Sequence, residues 1–153
     1  MIFKINSDET YQIDTILFDL NGTLSHYGKI PGKVRKKLKK LKQFGYQVVI
    51  ISSDQRGNAS SIARRAGVQF IHASTRTEKQ GVAERFSKKT TAAVGNGQVD
   101  IGLFDQAILS VAIIGKEGCH SEVIQHADIV FNKPQEALEF FLDTDTFVAS
   151  MKK

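Results

Sequence analysis

The chain of 153 residues has no tryptophan, two prolines and one cysteine. A lone cysteine excludes an internal disulfide and matches a reducing compartment, where Cys119 reads as a small packed residue rather than a nucleophile. No apolar run approaches the roughly 20 residues that a membrane span requires, and the start of the chain lacks a basic segment followed by an apolar stretch. The expectation is a soluble, cytoplasmic protein without a membrane partner. The lysine-rich stretch from Lys33 to Lys42 contains no aromatic residue on which a base would stack, which argues against nucleic acid as a partner. His72, His120 and His126 have no metal-like spacing. There is no internal repeat, low-complexity tract or linker. What remains is a chain with 41% hydrophobic residues, long enough for one core and too short for two ordinary domains, so a single domain over 1–153 is expected. The formal charge of +5 favours anionic partners, although much of the excess falls in one segment.

Apolar and polar residues alternate over 1–5, a turn follows at Asn6-Ser7-Asp8-Glu9, and a second run leads from Tyr11 toward Asp19. This predicts an N-terminal β-hairpin feeding the first core strand. Pro31 and Gly32 open a helix with Val34, Leu38 and Leu41 on one stripe, and Gly45 stops it. Strands are expected at 47–51, 68–71, 91–94, 110–114 and 129–131. Helices are expected at 58–66, 77–86, 99–107 and 122–125, with a terminal one starting at Pro134. Regular alternation of strand and helix implies an α/β fold, a Rossmann-like three-layer sandwich around a mostly parallel sheet.

The run Ile16-Leu17-Phe18-Asp19 ends a buried strand on a carboxylate, and Asn21-Gly22-Thr23 follows at once. Parallel sheets collect ligands at the C-terminal ends of their strands. Gly22 permits close backbone approach to an anion, and Thr23 adds a hydroxyl donor. Later strands deliver Ser52, Ser53 and Asn96 to the same edge, with Asp100 at the start of the next helix and Lys79 within reach. A carboxylate nucleophile, hydroxyl phosphate ligands, a cation and an acid for metal form a kit for phosphoryl transfer through aspartate. Asp54 and Arg56 suit either substrate contact or a turn salt bridge, and His26 is a candidate for facing substrate.

In that order, Asp19-Leu20-Asn21-Gly22-Thr23, Ser52-Ser53-Asp54, Glu78-Lys79 and Gly95-Asn96-Gly97-Gln98-Val99-Asp100 resemble the four motifs of the haloacid dehalogenase-like hydrolase superfamily. Within it they are most similar to the small soluble proteins related to the phosphorylation domain of P-type ATPases. The resemblance implies a phosphatase that turns over a small phosphorylated substrate through an aspartyl-phosphate. It makes Asp19 the nucleophile and Lys79 the charge-balancing cation, with Gly22, Thr23, Ser52, Ser53 and Lys79 around the phosphate. It also implies Mg²⁺ held by Asp19, the Asn21 carbonyl and the fourth motif, Asn96 and Asp100, with water completing the shell. Two positions depart from the common phosphatase pattern. Asn21 stands where an aspartate acts as general acid and base, a role ordinarily contributing roughly 10²–10⁴-fold. Asn96 stands where an acid commonly begins the fourth motif. Slow turnover, or phosphate or metabolite binding without turnover, are the two expectations. No segment is long enough for a cap domain, so a neighbouring subunit or a large substrate would have to cover the site.

Overall fold

The computed structural model describes residues 1–153. Its centre is a six-stranded, wholly parallel sheet formed by β3 (Thr15–Asp19), β4 (Gln47–Ser52), β5 (Gln69–His72), β6 (Thr91–Gly95), β7 (Leu109–Ile113) and β8 (Ile129–Phe131). The spatial order is β5-β4-β3-β6-β7-β8, so the chain runs outward on one side of β3 and then outward on the other. The gap between β3 and β6 is therefore the topological switch point, where the C-terminal strand ends diverge and leave room for a ligand.

Every residue of β3 is buried, because helices cover both faces. Side chains alternate across the sheet: Ile16 and Phe18 enter one core, Leu17 the other. The larger core lies beneath α1 (Gly32–Gln43), α2 (Ala59–Ala66), α6 (Pro134–Leu142) and α7 (Thr144–Met151). The smaller lies beneath α3 (Arg76–Ala83), α4 (Ile101–Phe104) and α5 (Ser121–His126). By the same alternation Asp19 follows Leu17 onto the α3 side. This simple parity brings a carboxylate toward a helix that carries a lysine.

Local chemistry accounts for the helix limits. In α1, Val34, Leu38 and Leu41 form the buried stripe, and Gly45 leaves the helix at φ +97°. In α3, the Thr75 hydroxyl accepts from the Glu78 N–H while the Glu78 carboxylate accepts from Ser74 and Thr75, a reciprocal cap that fixes where the helix starts. Those backbone hydrogen bonds hold the Glu78 carboxyl below its usual range. Gly102 lets α4 approach α3, since a Cβ there would collide with the Arg76 carbonyl.

The N-terminal hairpin expected from sequence is present: β1 (Ile2–Lys4) pairs with β2 (Thr10–Gln12) in an antiparallel two-stranded sheet, and Ile13 and Asp14 separate it from β3. The structure departs from the sequence reading in two places. The segment expected as one helix over 99–107 is a 3-10 turn, Gln98–Asp100, followed by the short α4. Beyond α6 the chain makes a further helix, α7, capped by the Asp143 side chain. Its one fully buried residue, Phe147, stacks on Phe3 of the hairpin at 3.7 Å between ring centroids and on Phe140 at 4.5 Å. The contact supplies a hydrophobic anchor for the hairpin outside the main sheet.

Candidate active site

Three strand exits and one helix build a cavity of about 270 Å³ at the switch point. β3 ends on Asp19, β4 on Ser52 and β6 on Gly95, and α3 extends Lys79 into the same space. Lys79 is 2% exposed and its Nζ donates to Asp19 Oδ1 at 2.8 Å and to Asp100 Oδ1 at 2.6 Å. Asp19 is 7% exposed and its other oxygen, Oδ2, accepts from the Thr23 hydroxyl at 3.0 Å. Lys79 is thus a buried lysine beside both carboxylates. Lys88 instead caps the Asp105 carbonyl at the surface.

Two carboxylates around one ammonium perturb one another. Burial first, and then the negative charge of Asp100, push the Asp19 carboxyl up to about 6, against the opposing pull of Lys79 and Thr23. The two carboxylates outweigh the desolvation of Lys79 and hold its pKa above the usual lysine range, so it stays protonated. Asp19 is therefore a carboxylate at neutral pH and yet close to its titration point.

The first turn is shaped around the strand end. Gly22 has φ +77°, and any Cβ there would collide with the Asn96 side-chain amide. Asn96 Oδ1 lies 3.0 Å from Thr23 Oγ1, competing with Asp19 for its single hydroxyl hydrogen, and Asn96 Nδ2 donates to the Gly118 carbonyl, so this side chain ties the first and fourth motifs together. Ser52 is buried, and its Oγ accepts from the Asp54 N–H at 3.1 Å. Ser52, Ser53 and Asn21 all line the cavity. Asp54 adopts φ +56° and accepts from the Ala59 N–H, so it starts α2 and is spent on the fold. Arg56 pairs with Glu117 across the loop at 3.7 Å.

Asp100 faces inward. Oδ1 is held by Lys79, and Oδ2 accepts from the backbone of Asn96 and Gly97 at 3.0 and 2.9 Å. Close packing explains Gly95, where a Cβ would lie 2.7 Å from Asp100 Oδ2. Both oxygens of the expected metal ligand are thus engaged with protein donors. Asp19 and Asn96 Oδ1 are engaged as well, by Lys79 and Thr23, whereas Asn21 Oδ1 is buried without a partner, and Ser52, Ser53, Gln55 and Ser74 add further oxygens around the cavity. No group of three or more His, Cys, Asp or Glu side chains gathers in metal-binding proximity. The donor set is all oxygen and low in charge, which fits a hard cation that keeps much of its water, as Mg²⁺ does. Gln55 and Ser74 also line the cavity. Neither lies within a motif, but Gln55 follows the end of β4 by three residues and Ser74 the end of β5 by two, so the strand-end rule that found Ser52 would have reached both.

No family model matches the chain. It is 33% identical over 75 residues to a probable cation-transporting ATPase G of Mycobacterium tuberculosis, a match covering 48% of this chain and 10% of that protein. It is 26% identical over 132 residues to a soluble P-type ATPase-like phosphatase of Methanocaldococcus jannaschii, covering 83% of this chain and 48% of that protein. The chain therefore spans about a tenth and about half of these relatives. Among solved structures, it superimposes with a TM-score of 0.72 on the 3-deoxy-D-manno-octulosonate 8-phosphate phosphatase of Moraxella catarrhalis in complex with magnesium and phosphate. That pair shares 18% identity over 92% of this chain and 94% of the other. The architecture is that of the haloacid dehalogenase-like hydrolases, in agreement with the motif resemblance.

Proposed function

We propose that the protein is a magnesium-dependent phosphohydrolase that acts on a small phosphorylated metabolite through phosphorylation of Asp19. The observation that carries this reading is the buried Lys79, which bridges Asp19 and Asp100 beside the Thr23 and Ser52 hydroxyls. A substrate phosphoryl group in the cavity meets a positive charge, two hydroxyls and the glycine turn. One Asp19 oxygen attacks phosphorus, the bond from phosphorus to the leaving oxygen breaks, and an acyl-phosphate forms. Water then attacks that phosphorus, releasing inorganic phosphate and restoring the carboxylate. Throughout, Lys79 neutralises charge between nucleophile and phosphate, while Asp100 holds the lysine and the Asn96-Gly97 backbone in place. Asp19, the Asn21 carbonyl and Asn96 would hold Mg²⁺, with Asp100 behind them; the ion supplies charge stabilisation on the phosphoryl oxygens. The mouth of the cavity has no cap, so a second copy of the chain or a bulky substrate would be needed to exclude water.

Asn21 carries no titratable proton at the position next to the leaving group. Aryl and acyl phosphates, whose leaving groups depart with little protonation, should therefore be hydrolysed faster than alkyl phosphates. Asn21→Asp should raise alkyl phosphate turnover by up to roughly 10²–10⁴-fold. Rates that are equal across leaving groups, and unchanged by the substitution, would refute the assignment. A second reading, phosphate or metabolite binding without turnover, is favoured by the same two amides, Asn21 and Asn96. Phospho-Asp19 that accumulates without release of phosphate would select it.

A further inference from the structure

The largest cavity of the molecule, about 520 Å³, is not the catalytic one. It opens at the same sheet edge but on the α1 and α6 side, beyond the ends of β7 and β8. Lys33, Lys116, Lys133 and His26 line it together with Pro31 and Pro134, and no carboxylate does. None of these three lysines takes part in an ion pair, whereas Lys37, Lys79 and Lys153 all do. Both helices begin at this cavity without a side-chain cap on their first-turn amides. The first turn of α1 has no acid, and Glu136 in the first turn of α6 is exposed and outside the lining. His26 completes the wall, and its Nδ1 is buried with no partner.

We infer that this cavity is a second anion-binding site, distinct from the catalytic pocket, for a compact small molecule carrying two or more phosphoryl-type or carboxylate groups. Three exposed lysines outside any ion pair and the N-terminal ends of two helices line one space, an arrangement that favours anionic charge between them. The cationic groups are spread over a volume larger than one phosphate needs, which points to a polyanion. Ile114 is the one hydrophobic lining residue, so there is no platform for an aromatic base or a hydrophobic body. The partition from the catalytic turn is thin. At Gly115 a Cβ would lie 3.3 Å from the Gly22 carbonyl and 3.2 Å from His26 Cε1. The same loop is clamped by the Tyr27 N–H donating to Glu117 and by the pairing of Arg56 with Glu117.

Inorganic pyrophosphate titrated into the ¹⁵N-labelled protein in the presence of chelator tests the inference without requiring turnover, so its outcome is independent of the hydrolytic reading. The expected result is saturable movement of the Lys33, Val34 and Gln135 amide signals. In Lys116→Ala/Lys133→Ala, two exposed substitutions that leave the fold intact, the affinity read from those signals should fall roughly tenfold or more. A ligand that bridges both cavities will weaken in the double variant at the Gly22 and Gly97 amides as well, while a separate effector will leave those unchanged; either supports the second site. Pocket amides that stay still through about 10 mM pyrophosphate, or that respond equally in the double variant, overturn it. So does movement confined to Gly22, Ser53 and Gly97.

Discussion

Asp19→Asn should make the protein more stable at pH 7 while abolishing the proposed hydrolysis. In the wild type the Asp19 carboxyl is displaced from 3.8 to about 6, by burial and by Asp100, even with the Lys79 ammonium 2.8 Å away. At ~1.4 kcal/mol per pH unit, keeping that group ionised in the fold at pH 7 costs about 3 kcal/mol relative to the unfolded chain. Asparagine has nearly the same volume, retains an oxygen for Lys79, and leaves that lysine paired with Asp100 at 2.6 Å. The sign follows from proton binding. Between 3.8 and about 6 the folded wild type keeps a proton that the unfolded chain has lost, so its stability falls as pH rises through that window. The variant lacks this dependence. Urea unfolding followed by far-ultraviolet circular dichroism suits a chain without tryptophan. A gain of about 3 kcal/mol at pH 7 should move the midpoint up by roughly 1–2 M, and well under 1 kcal/mol should remain at pH 4. A variant no more stable than the wild type at pH 7, or a gap that does not shrink on acidification, would refute the reasoning.

The same swap at the other carboxylate should go the opposite way. Asp100→Asn leaves an NH₂ group facing either Lys79 or the Asn96 and Gly97 amides, all donors, and should cost roughly 3–5 kcal/mol by the same urea assay. Asn96→Asp adds an anionic oxygen to the sparse donor set and should lower the magnesium concentration needed for half-maximal hydrolysis; an unchanged requirement would remove residue 96 from the ion's shell. Phe147→Ala should cost roughly 3–5 kcal/mol, because it empties the stack between Phe3 and Phe140 and frees the hairpin from α7, as thermal unfolding will show.

Strand alternation and motif order were legible from sequence because each core strand is a short apolar run that ends on a turn former. Ile16 to Asp19 and Gln47 to Ser52 show this plainly, and the parallel sheet follows from the helices between them. The α7 helix was not legible. Its sequence, Thr144 to Met151, buries only Phe147, so no apolar stripe announces it, and its cap, Asp143, reads equally as a turn residue. The single helix expected over 99–107 failed for a similar reason, since Asp100 is drawn inward by Lys79 and two backbone amides and tightens the first turn. Sequence brought Asp19, Ser52, Lys79 and Asp100 to one edge. It offered no sign that both Asp100 oxygens are occupied, nor that Asp54 is spent on starting α2, because hydrogen-bond partners at such turns depend on backbone torsions that residue type leaves open. His26, a candidate for facing substrate, borders the neighbouring cationic cavity.

Lys79 serves two acids at once, and this sharing leaves the cavity around Asp19 with an excess of negative charge at neutral pH. A phosphate ester, itself an anion, would enter such a pocket against the field, and a lone cation would find few ligands to replace its water. Each becomes a better ligand once the other is present. Thermodynamic reciprocity then requires that the factor by which the ester tightens the cation equals the factor by which the cation tightens the ester. A pocket built this way behaves as a coincidence detector, responding to two solutes together far more than to either alone.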